Sequence, residues 1–386
     1  MSAPRRIRVM QVIDSMHIGG AENAVVHLAR GLDRRRFEVS LRCTNMLGVL
    51  ADQLVSEGVD VELAGTDRRS KLRYFTPWFL WRAIGRWRPD VVHSHGTPGL
   101  LHTGPLAAIG AAPPWVHTFH YGNYPLANAR EMAAERLFAR EASQLVAVSE
   151  VQRHSIIRHH RVPPGAIETV INGVDANRAV TDAAVRAERR REFGFADDAI
   201  VVGCVAVLTR QKGITHLLAA ARQLIADDPR IHFLIAGGGP LEAALREESH
   251  ALGLDGRVVF TGWRQDNLAL LSALDVWVMS SLWEAMPLAL LEAMAARRPI
   301  VVTDVGDNRM VVDGGACGLL VPAADPGAIA AAVRQHLHDP AAARAMAERA
   351  HSRFRAHFTT RQMLDRYEAI YSRLAGPGRV SSGLRQ

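Results

Sequence analysis

The sequence predicts an α/β protein with two doubly wound parallel sheets. Buried strands at residues 7–13, 37–43, 59–63 and 89–95 alternate with helical segments. The alternation starts again at residue 200, after a polar, arginine-rich stretch at 176–196 without a strand pattern. Strands separated by helices pair in parallel, and ligands of such sheets bind where loops leave the carboxyl ends of the strands. We therefore expect the functional side chains on the loops that follow strands.

Composition sets the class and the compartment. The chain has 386 residues, of which 48% are hydrophobic and 22% charged, so two domains with large cores are expected. Cys43, Cys204 and Cys317 are too few and too scattered for a disulfide framework or a zinc site, which favours a reducing, cytoplasmic setting. The first apolar run is too short for a signal peptide, and no run reaches the roughly 18 residues of a membrane-spanning helix.

The positive charge is concentrated in the first half. Residues 1–178 hold 22 Lys+Arg against 16 Asp+Glu, a charge of +6, and the remainder holds 24 against 23, a charge of +1. This excess suits an acidic partner, an anionic membrane surface or a phosphorylated acceptor. Arginine on ordinary solvated faces accounts for much of the same excess, and we expect no nucleic-acid partner.

A glycine turn follows the first strand. Gly19 and Gly20 come between the strand at 7–13 and a helical segment at 21–32. Glycines let the backbone approach a phosphate, and the following helix supplies N–H donors. The turn is not G-x-G-x-x-G, so no dinucleotide fingerprint is present, and a plain tight turn explains two glycines equally well.

Three histidines lie at strand ends in the first half. His93 and His95 end one strand, and His120 ends the strand at 115–120, ahead of the sequence YGNYP at 121–125. A lone histidine of this kind is more often packed than functional, and we favour His120 as the functional one. No third ligand is suitably spaced to form a metal site with His93 and His95. A helix at 130–140 bears three arginines that could touch lipid headgroups, although a solvated face explains them as well.

The second half repeats the pattern of strand, turn and helix. Arg210 and Lys212 follow a predicted strand at 200–208, and only one other lysine, Lys71, occurs in the chain. A lysine at such a turn is a point charge for phosphate; the alternative is a surface lysine at a helix start. The next two strands end in further candidates. These are Gly237, Gly239, Trp263 and Arg264.

Two glutamates mark the stretch at 280–295. Glu284 precedes Pro287, which predicts a helix start near that proline, and Glu292 lies inside the helix. The backbone N–H groups near Leu288, Ala289 and Leu290 would be available to an anion. An ordinary amphipathic helix with two solvated glutamates is the alternative. Glu292, however, is flanked by apolar residues, a costly place for an unpartnered charge.

These motifs together resemble retaining glycosyltransferases of family 4, which have the GT-B fold. The resemblance rests on E-x7-E at 284–292, GGAE at 19–22, INGVD at 171–175, KG at 212–213 and AGGGP at 236–240. It implies two Rossmann-like domains that face a central cleft, at 1–175 and 197–359, joined by a linker at 176–196. A final helix at 360–375 would cross back to the first domain. Val207 replaces the family's arginine, and the turn at 305–310 lacks its Pro and Glu.

The resemblance also implies a function. The protein would move a sugar from a nucleotide-diphospho-sugar to a glycan or lipid-linked acceptor, without metal or cofactor, in the cytoplasm or peripherally at the inner face of the membrane. The implied roles are leaving-group stabilisation by Arg210 and Lys212, sugar binding by Glu284 and His120, ribose binding by Glu292, base packing by Trp263 and phosphate contacts by Gly19, Gly20, Leu288 and Ala289. Gly237, Gly239 and Arg264 are further donor-binding positions. A GT-B sugar-nucleotide epimerase and a non-catalytic GT-B binding protein are the alternatives.

Overall fold

A computed structural model describes residues 5–64, 75–120, 129–175, 182–264 and 266–376. The chain divides into two units. The first joins Met1–Asn172 to Thr360–Gln386, and the second is Gly173–Thr359. The expectations for residues 121–125 and for the beginning of the 176–196 stretch lie outside the described residues. Each unit holds one purely parallel sheet, which confirms the predicted fold class.

The first unit is built on a seven-stranded sheet in the order β3-β2-β1-β4-β5-β6-β7. Its strands are β1 (Ile7–Ser15), β2 (Phe37–Met46), β3 (Asp60–Leu63), β4 (Val91–His95), β5 (Trp115–Phe119), β6 (Gln144–Ala147) and β7 (Ile167–Thr169). Its helices are α1 (Gly20–Gly31), α2 (Val49–Ser56), α3 (Thr76–Trp87), α4 (Gly96–Ala108), α5 (Ala129–Ala139), α6 (Glu150–His160) and, from the end of the chain, α15 (Thr360–Ala375).

Helix α15 returns to the first unit, as predicted. Its apolar side carries Met363, Leu364, Tyr367 and Tyr371, which join a buried cluster with β1, β2 and α1. Burial of side chains of this size supplies much of the stability that holds a terminal helix in place.

The second unit is built on a six-stranded sheet in the order β10-β9-β8-β11-β12-β13. Its strands are β8 (Ile200–Val205), β9 (Ile231–Ala236), β10 (Val258–Phe260), β11 (Val276–Met279), β12 (Ile300–Thr303) and β13 (Leu319–Val321). Its helices are α7 (Ala183–Glu192), α8 (Ile214–Asp227), α9 (Glu242–Ala251), α10 (Asn267–Ala273), α11 (Leu288–Ala295), α12 (Asn308–Val311), α13 (Pro326–His338) and α14 (Pro340–His357).

Two details of the second unit differ from the simple pattern. The strand expected at 200–208 ends at Val205, and the Leu208 N–H beyond it donates to the Gly238 carbonyl in the glycine loop after β9. Helix α7 lies in the stretch interpreted from the sequence as a linker with a short helix, and two arginines fix this helix to the unit. Arg186 and Arg190 each bind one carboxylate oxygen of Asp275 at 2.6 Å.

The described residues contain neither a bilayer-spanning helix nor a cluster of metal ligands. Within the described ranges, no helix is both long and apolar enough to cross a bilayer. Over the same residues, no three His, Cys, Asp or Glu side chains come together as metal ligands would.

Candidate active site

The strand order of the second unit fixes where a ligand can bind. Strands β8 and β11 are neighbours at the centre of the sheet, and the chain proceeds from them towards opposite edges. The loops after two such strands diverge and leave a crevice at the carboxyl ends, which is where ligands of doubly wound sheets bind. Lys212 lies on the loop after β8, and Glu284 lies on the loop after β11.

Lys212 and Glu284 form a buried ion pair across this crevice. Lys212 Nζ donates to Glu284 Oε1 at 2.5 Å, and the side chains are 20% and 5% exposed respectively. Ser281 Oγ donates to the same oxygen at 2.7 Å, and Gln211 Nε2 donates to Oε2 at 3.3 Å. A buried carboxylate needs such partners to remain charged. The pair therefore presents an ammonium whose other two N–H donors are not used by the described residues.

The two loops touch along their backbones. Ser280 Oγ donates to the Lys212 carbonyl at 2.9 Å, and the Leu282 N–H donates to the Gln211 carbonyl at 2.7 Å. Gly213 has a φ of +59°, and a Cβ there would overlap the Ser280 carbonyl oxygen. Only glycine satisfies both conditions at no cost.

Sequence reasoning missed Gln211 and Ser281. The available signal was their position, directly before Lys212 and three residues before Glu284. The contact of Gln211 with Glu284 joins chain segments 73 residues apart, which no local pattern encodes. Ser281 contacts Glu284 within one loop, so its spacing was a local signal.

Helix α11 begins beside this pair. It starts at Leu288, with Pro287 at the N-cap, which agrees with the helix start predicted near that proline. The N–H groups of Leu288 and Ala289 bind no acceptor among the described residues. The expectation that Leu290 offers a free N–H is wrong, because that group donates to the Pro287 carbonyl at 3.2 Å. Glu292 is half-buried on the helix, between fully buried neighbours.

The glycine loop after β9 lies against the loops after β8 and β10. A Cβ on Gly237 would overlap the Ala206 carbonyl, and one on Gly239 would lie 2.6 Å from the Leu208 carbonyl oxygen. Trp263, 48% exposed, places its indole nitrogen 2.6 Å from the position of a Gly238 Cβ. The structure thus brings Gly237, Gly239 and Trp263 together. The partly exposed indole of Trp263 lies beside backbone that carries no side chains.

Arg264 belongs to a different cluster. Its guanidinium binds both carboxylate oxygens of Asp266 at 2.8 Å and one oxygen of Glu192 at 2.8 Å. These hydrogen bonds raise the pKa of the Arg264 guanidinium above its ordinary value. The side chain is therefore held by α7 and the start of α10, and its charge is already neutralised.

In the first unit, Gly19 and Gly20 mark the start of α1. Gly19 is the N-cap with extended backbone, and its carbonyl accepts from Asn23 Nδ2 at 2.8 Å. The Glu22 carboxylate fills the space beside the Gly19 Cα. Burial raises the pKa of this carboxyl. The glycine turn therefore has a carboxylate folded over it rather than an open pocket of N–H donors.

His120 lies directly after β5 and contacts a second histidine. His120 Nε2 is 3.0 Å from His95 Nδ1, and His95 Nε2 is 2.6 Å from Gln11 Oε1. His93 binds Tyr371 and Thr118 instead. Burial lowers the pKa of His120 to about 4, so its imidazole is neutral at physiological pH. The three histidines predicted from strand ends thus belong to one polar cluster, with His120 at its outer end.

Comparisons with known proteins identify the family. Residues 18–178 match the family described as Glycosyltransferase Family 4, and residues 185–353 match Glycosyl transferases group 1. A D-inositol 3-phosphate glycosyltransferase from Streptomyces bingchenggensis is 30% identical over 380 residues, which span 87% of this chain and 82% of that enzyme. The chain belongs to glycosyltransferase family 4.

A further enzyme and a solved structure are also similar to this chain. The Escherichia coli UDP-Gal:alpha-D-GlcNAc-diphosphoundecaprenol alpha-1,3-galactosyltransferase is 27% identical over 63% of this chain and 65% of that enzyme. The chain spans between 55% and 65% of the length of three such relatives. HepE from Anabaena, crystallised with UDP-glucose, superimposes with a TM-score of 0.85 at 22% identity, over 95% of this chain and 99% of HepE. This likeness confirms the GT-B fold.

Val207 occupies the position at which the family has an arginine, and Arg210 is the nearby arginine that could replace it. Val207, at the position of the arginine expected from the resemblance, is half-buried on the loop after β8. Arg210 opens a short 3-10 turn at Arg210–Lys212 and is exposed. Its guanidinium pairs with none of the residues that the structure describes, so it does not join the Lys212–Glu284 pair.

Proposed function

We propose that this family 4 protein is a retaining glycosyltransferase that uses a nucleotide-diphospho-sugar, with a UDP-sugar as the first donor to test. The observation that carries the proposal is the buried Lys212–Glu284 pair at the crevice between β8 and β11. UDP as the nucleotide is suggested by HepE, which was crystallised with UDP-glucose, and by the UDP-Gal named for the E. coli relative.

Each group of the second unit has a role in this proposal. Lys212 directs its two remaining N–H donors to the diphosphate and offsets the charge that builds on the leaving group. The N–H groups of Leu288 and Ala289 add partial positive charge from a helix N-terminus. Glu284, fixed by Ser281 and Gln211, binds hydroxyls of the transferred sugar through Oε2. Glu292 binds the ribose, and Trp263 packs on the base beside Gly237 and Gly239.

In this proposal the first unit binds the acceptor, and its His120 contacts the reacting sugar. Arg210 is an exposed cation that a bound diphosphate could recruit in place of the arginine missing at Val207. We assign no donor contact to Arg264, because Asp266 and Glu192 already neutralise it. Side-chain and backbone donors supply the charge stabilisation, so transfer proceeds without a divalent metal.

The test is transfer from radiolabelled UDP-sugars to lipid-linked and free glycan acceptors, with and without EDTA. Lys212→Ala should lower kcat/KM by about 30- to 1000-fold, which corresponds to about 2–4 kcal/mol of transition-state stabilisation. Arg222→Ala, which removes an exposed cation from the helix that follows the Lys212 loop, is the matched control and should keep activity. NMR of the product's anomeric centre reads the stereochemical outcome.

Three results would reject parts of this proposal. Full activity in Lys212→Ala would remove Lys212 from the site, inversion at the anomeric carbon would reject retention, and loss of activity with EDTA would reject metal independence. Interconversion of two sugar nucleotides without acceptor would favour the epimerase alternative.

We also propose that the protein works in the cytoplasm and contacts the inner face of an anionic membrane through α3. Phe75, Trp78 and Trp81 are 58%, 47% and 49% exposed, whereas Leu80 and Ile84 on the opposite side are buried. The Arg82 guanidinium lies 4.9 Å from the Trp78 ring centroid. Exposed tryptophans interleaved with arginines suit the headgroup region of a bilayer. This face is a better candidate than α5, where Arg136 is bound to the His159 carbonyl.

Vesicle sedimentation tests the membrane contact. The wild type should bind vesicles that contain phosphatidylglycerol more tightly than neutral ones, and the double variant Trp78→Ala/Trp81→Ala should lose at least tenfold in partitioning. Ile109→Ala, which truncates an apolar side chain that is 77% exposed elsewhere on the unit, is the control. Equal binding of the double variant and the wild type would reject α3 as the contact.

A further inference from the structure

A continuous hydrogen-bonded chain of buried side chains runs through the first unit and ends at His120. Its inner members come from β1, β4, β5 and α15, and they are all nearly or fully buried. These inner members are Gln11, His93, His95, Thr118, Tyr367 and Tyr371. Only His120, the last member, is partly exposed. Among these hydrogen-bonded side chains, His120 is therefore the one that a ligand can contact.

We infer that Gln11, His95 and Tyr371 are positioning residues that hold His120 in one tautomer, with the proton on Nε2 and a hydrogen-bond acceptor at Nδ1. The inference rests on the proposed function, in which His120 contacts the reacting sugar. It adds that His120 accepts a hydrogen bond from a sugar or acceptor hydroxyl, and that it neither donates to phosphate nor carries charge.

The direction of the chain follows from Gln11. Its amide oxygen can only accept, so His95 Nε2, at 2.6 Å from Oε1, must carry the proton that it donates. A neutral His95 then has an acceptor at Nδ1. The partner of that nitrogen, His120 Nε2 at 3.0 Å, must therefore be the donor. The remaining nitrogen of His120, Nδ1, is unprotonated and binds no described residue.

Tyr371 secures the orientation of the Gln11 amide. Gln11 Nε2 donates to the Tyr371 hydroxyl at 3.2 Å, and His93 Nδ1 at 2.6 Å is the described acceptor for the hydroxyl's own proton. His93 Nε2 in turn donates to Thr118 Oγ1 at 2.7 Å. Reversing the amide would place two nitrogens 2.6 Å apart at His95, closer than even N–H···O hydrogen bonds normally are. The distances thus favour one donor-to-acceptor order for the whole series of hydrogen bonds.

This order of donors and acceptors requires neutral imidazoles, which have one donor nitrogen and one acceptor nitrogen each. Burial keeps these imidazoles neutral. Burial lowers the pKa values of His93 and His95 well below the ordinary range, and the neighbouring histidines lower them further. Since buried hydrogen-bond networks are strong only when every member is satisfied, one broken link should loosen the members beyond it.

The tautomer can be read directly by NMR. In protein labelled with ¹⁵N-histidine, long-range ¹H–¹⁵N spectra near neutral pH should show His120 protonated at Nε2, with the signal assigned by His120→Gln. Gln11→Met and Tyr371→Phe should turn this single form into a mixture of tautomers. Gln152→Met, which removes another buried glutamine whose oxygen accepts from a backbone N–H, should leave it unchanged.

Kinetics supply the second readout. Gln11→Met and Tyr371→Phe should each lower kcat about tenfold, the value of one hydrogen bond, with little change in the donor KM. Gln152→Met should match the wild type. Tyr371→Phe deletes one hydroxyl and keeps the ring packing, so it remains informative if Gln11→Met folds poorly.

The outcomes separate this inference from the proposed function. A wild-type His120 protonated at Nδ1, or a tautomer that is unaffected by both variants, would overturn the inference whether or not transfer occurs. The NMR measurement needs no substrate. An absence of transfer activity in the wild type would instead count against the proposed function.

Discussion

At the scale of single residues, the Lys212–Glu284 pair poses a question about stability. Glu284 is nearly fully buried, and Lys212 supplies its countercharge. Removing one partner of a buried pair leaves an uncompensated charge, whereas replacing both by neutral groups costs far less. We therefore predict that Lys212→Met lowers the free energy of unfolding by about 3 kcal/mol, and that Lys212→Met/Glu284→Gln recovers most of this loss.

Urea unfolding of the two single variants and the double variant measures this coupling. The double variant should regain stability without regaining transfer activity, because the ammonium that faces the diphosphate is still missing. A double variant no more stable than Lys212→Met would mean that the pair is not energetically coupled. We therefore expect the double variant to be stable but inactive. If the pair served only folding, restoring stability would also restore activity.

At the scale of elements, the approach of the loops after β8 and β11 depends on Gly213. We predict that Gly213→Ala lowers both stability and activity, because the added Cβ meets the Ser280 carbonyl in a left-handed conformation. Gly253→Ala is the matched control: its φ is +72°, and no heavy atom lies within 4 Å of the added Cβ. It should cost only the conformational strain of about 1–2 kcal/mol.

Melting temperatures and turnover of the two glycine variants separate strain from displacement. Gly213→Ala should be the less stable of the two and should lose activity, because Lys212 moves with its loop, whereas Gly253→Ala should keep activity. Equal behaviour would mean that the loop relaxes without moving Lys212.

Local patterns predicted most of the elements but not the contacts between them. The strand and helix alternation follows from hydrophobic periodicity, and the loop position of Glu284 follows from the proline near the helix start. The end of β8 at Val205 was missed, because it depends on the glycine loop of a neighbouring strand. Gln11 went unnoticed, although a polar residue inside an apolar strand indicates a buried partner. Its partners lie on β4 and on a helix 360 residues away in the chain.

At the scale of the whole molecule, the two units differ in how many buried histidines they hold neutral. Burial lowers the pKa of His93, His95, His102, His117 and His120 in the first unit, and of His232 and His336 in the second. A histidine whose pKa is lower in the folded state leaves the unfolded state with more bound protons below about pH 6.5. The free energy of unfolding is then unaffected by these histidines above about pH 6.5, and it decreases as the pH falls below that value.

We predict that acid separates the unfolding of the two units. At about pH 5, each fully buried histidine that stays neutral costs about 2 kcal/mol relative to neutral pH. His93, His95 and His117 are fully buried histidines of this kind, and all three lie in the first unit. The raised pKa of Glu22 acts in the opposite direction, but it is one group against several. Calorimetry near pH 7.5 and pH 5, with hydrogen exchange to assign each transition, should show the first unit's transition falling further. A larger fall in the second unit would contradict the prediction, because five of the seven described histidines whose pKa is lowered by burial lie in the first unit.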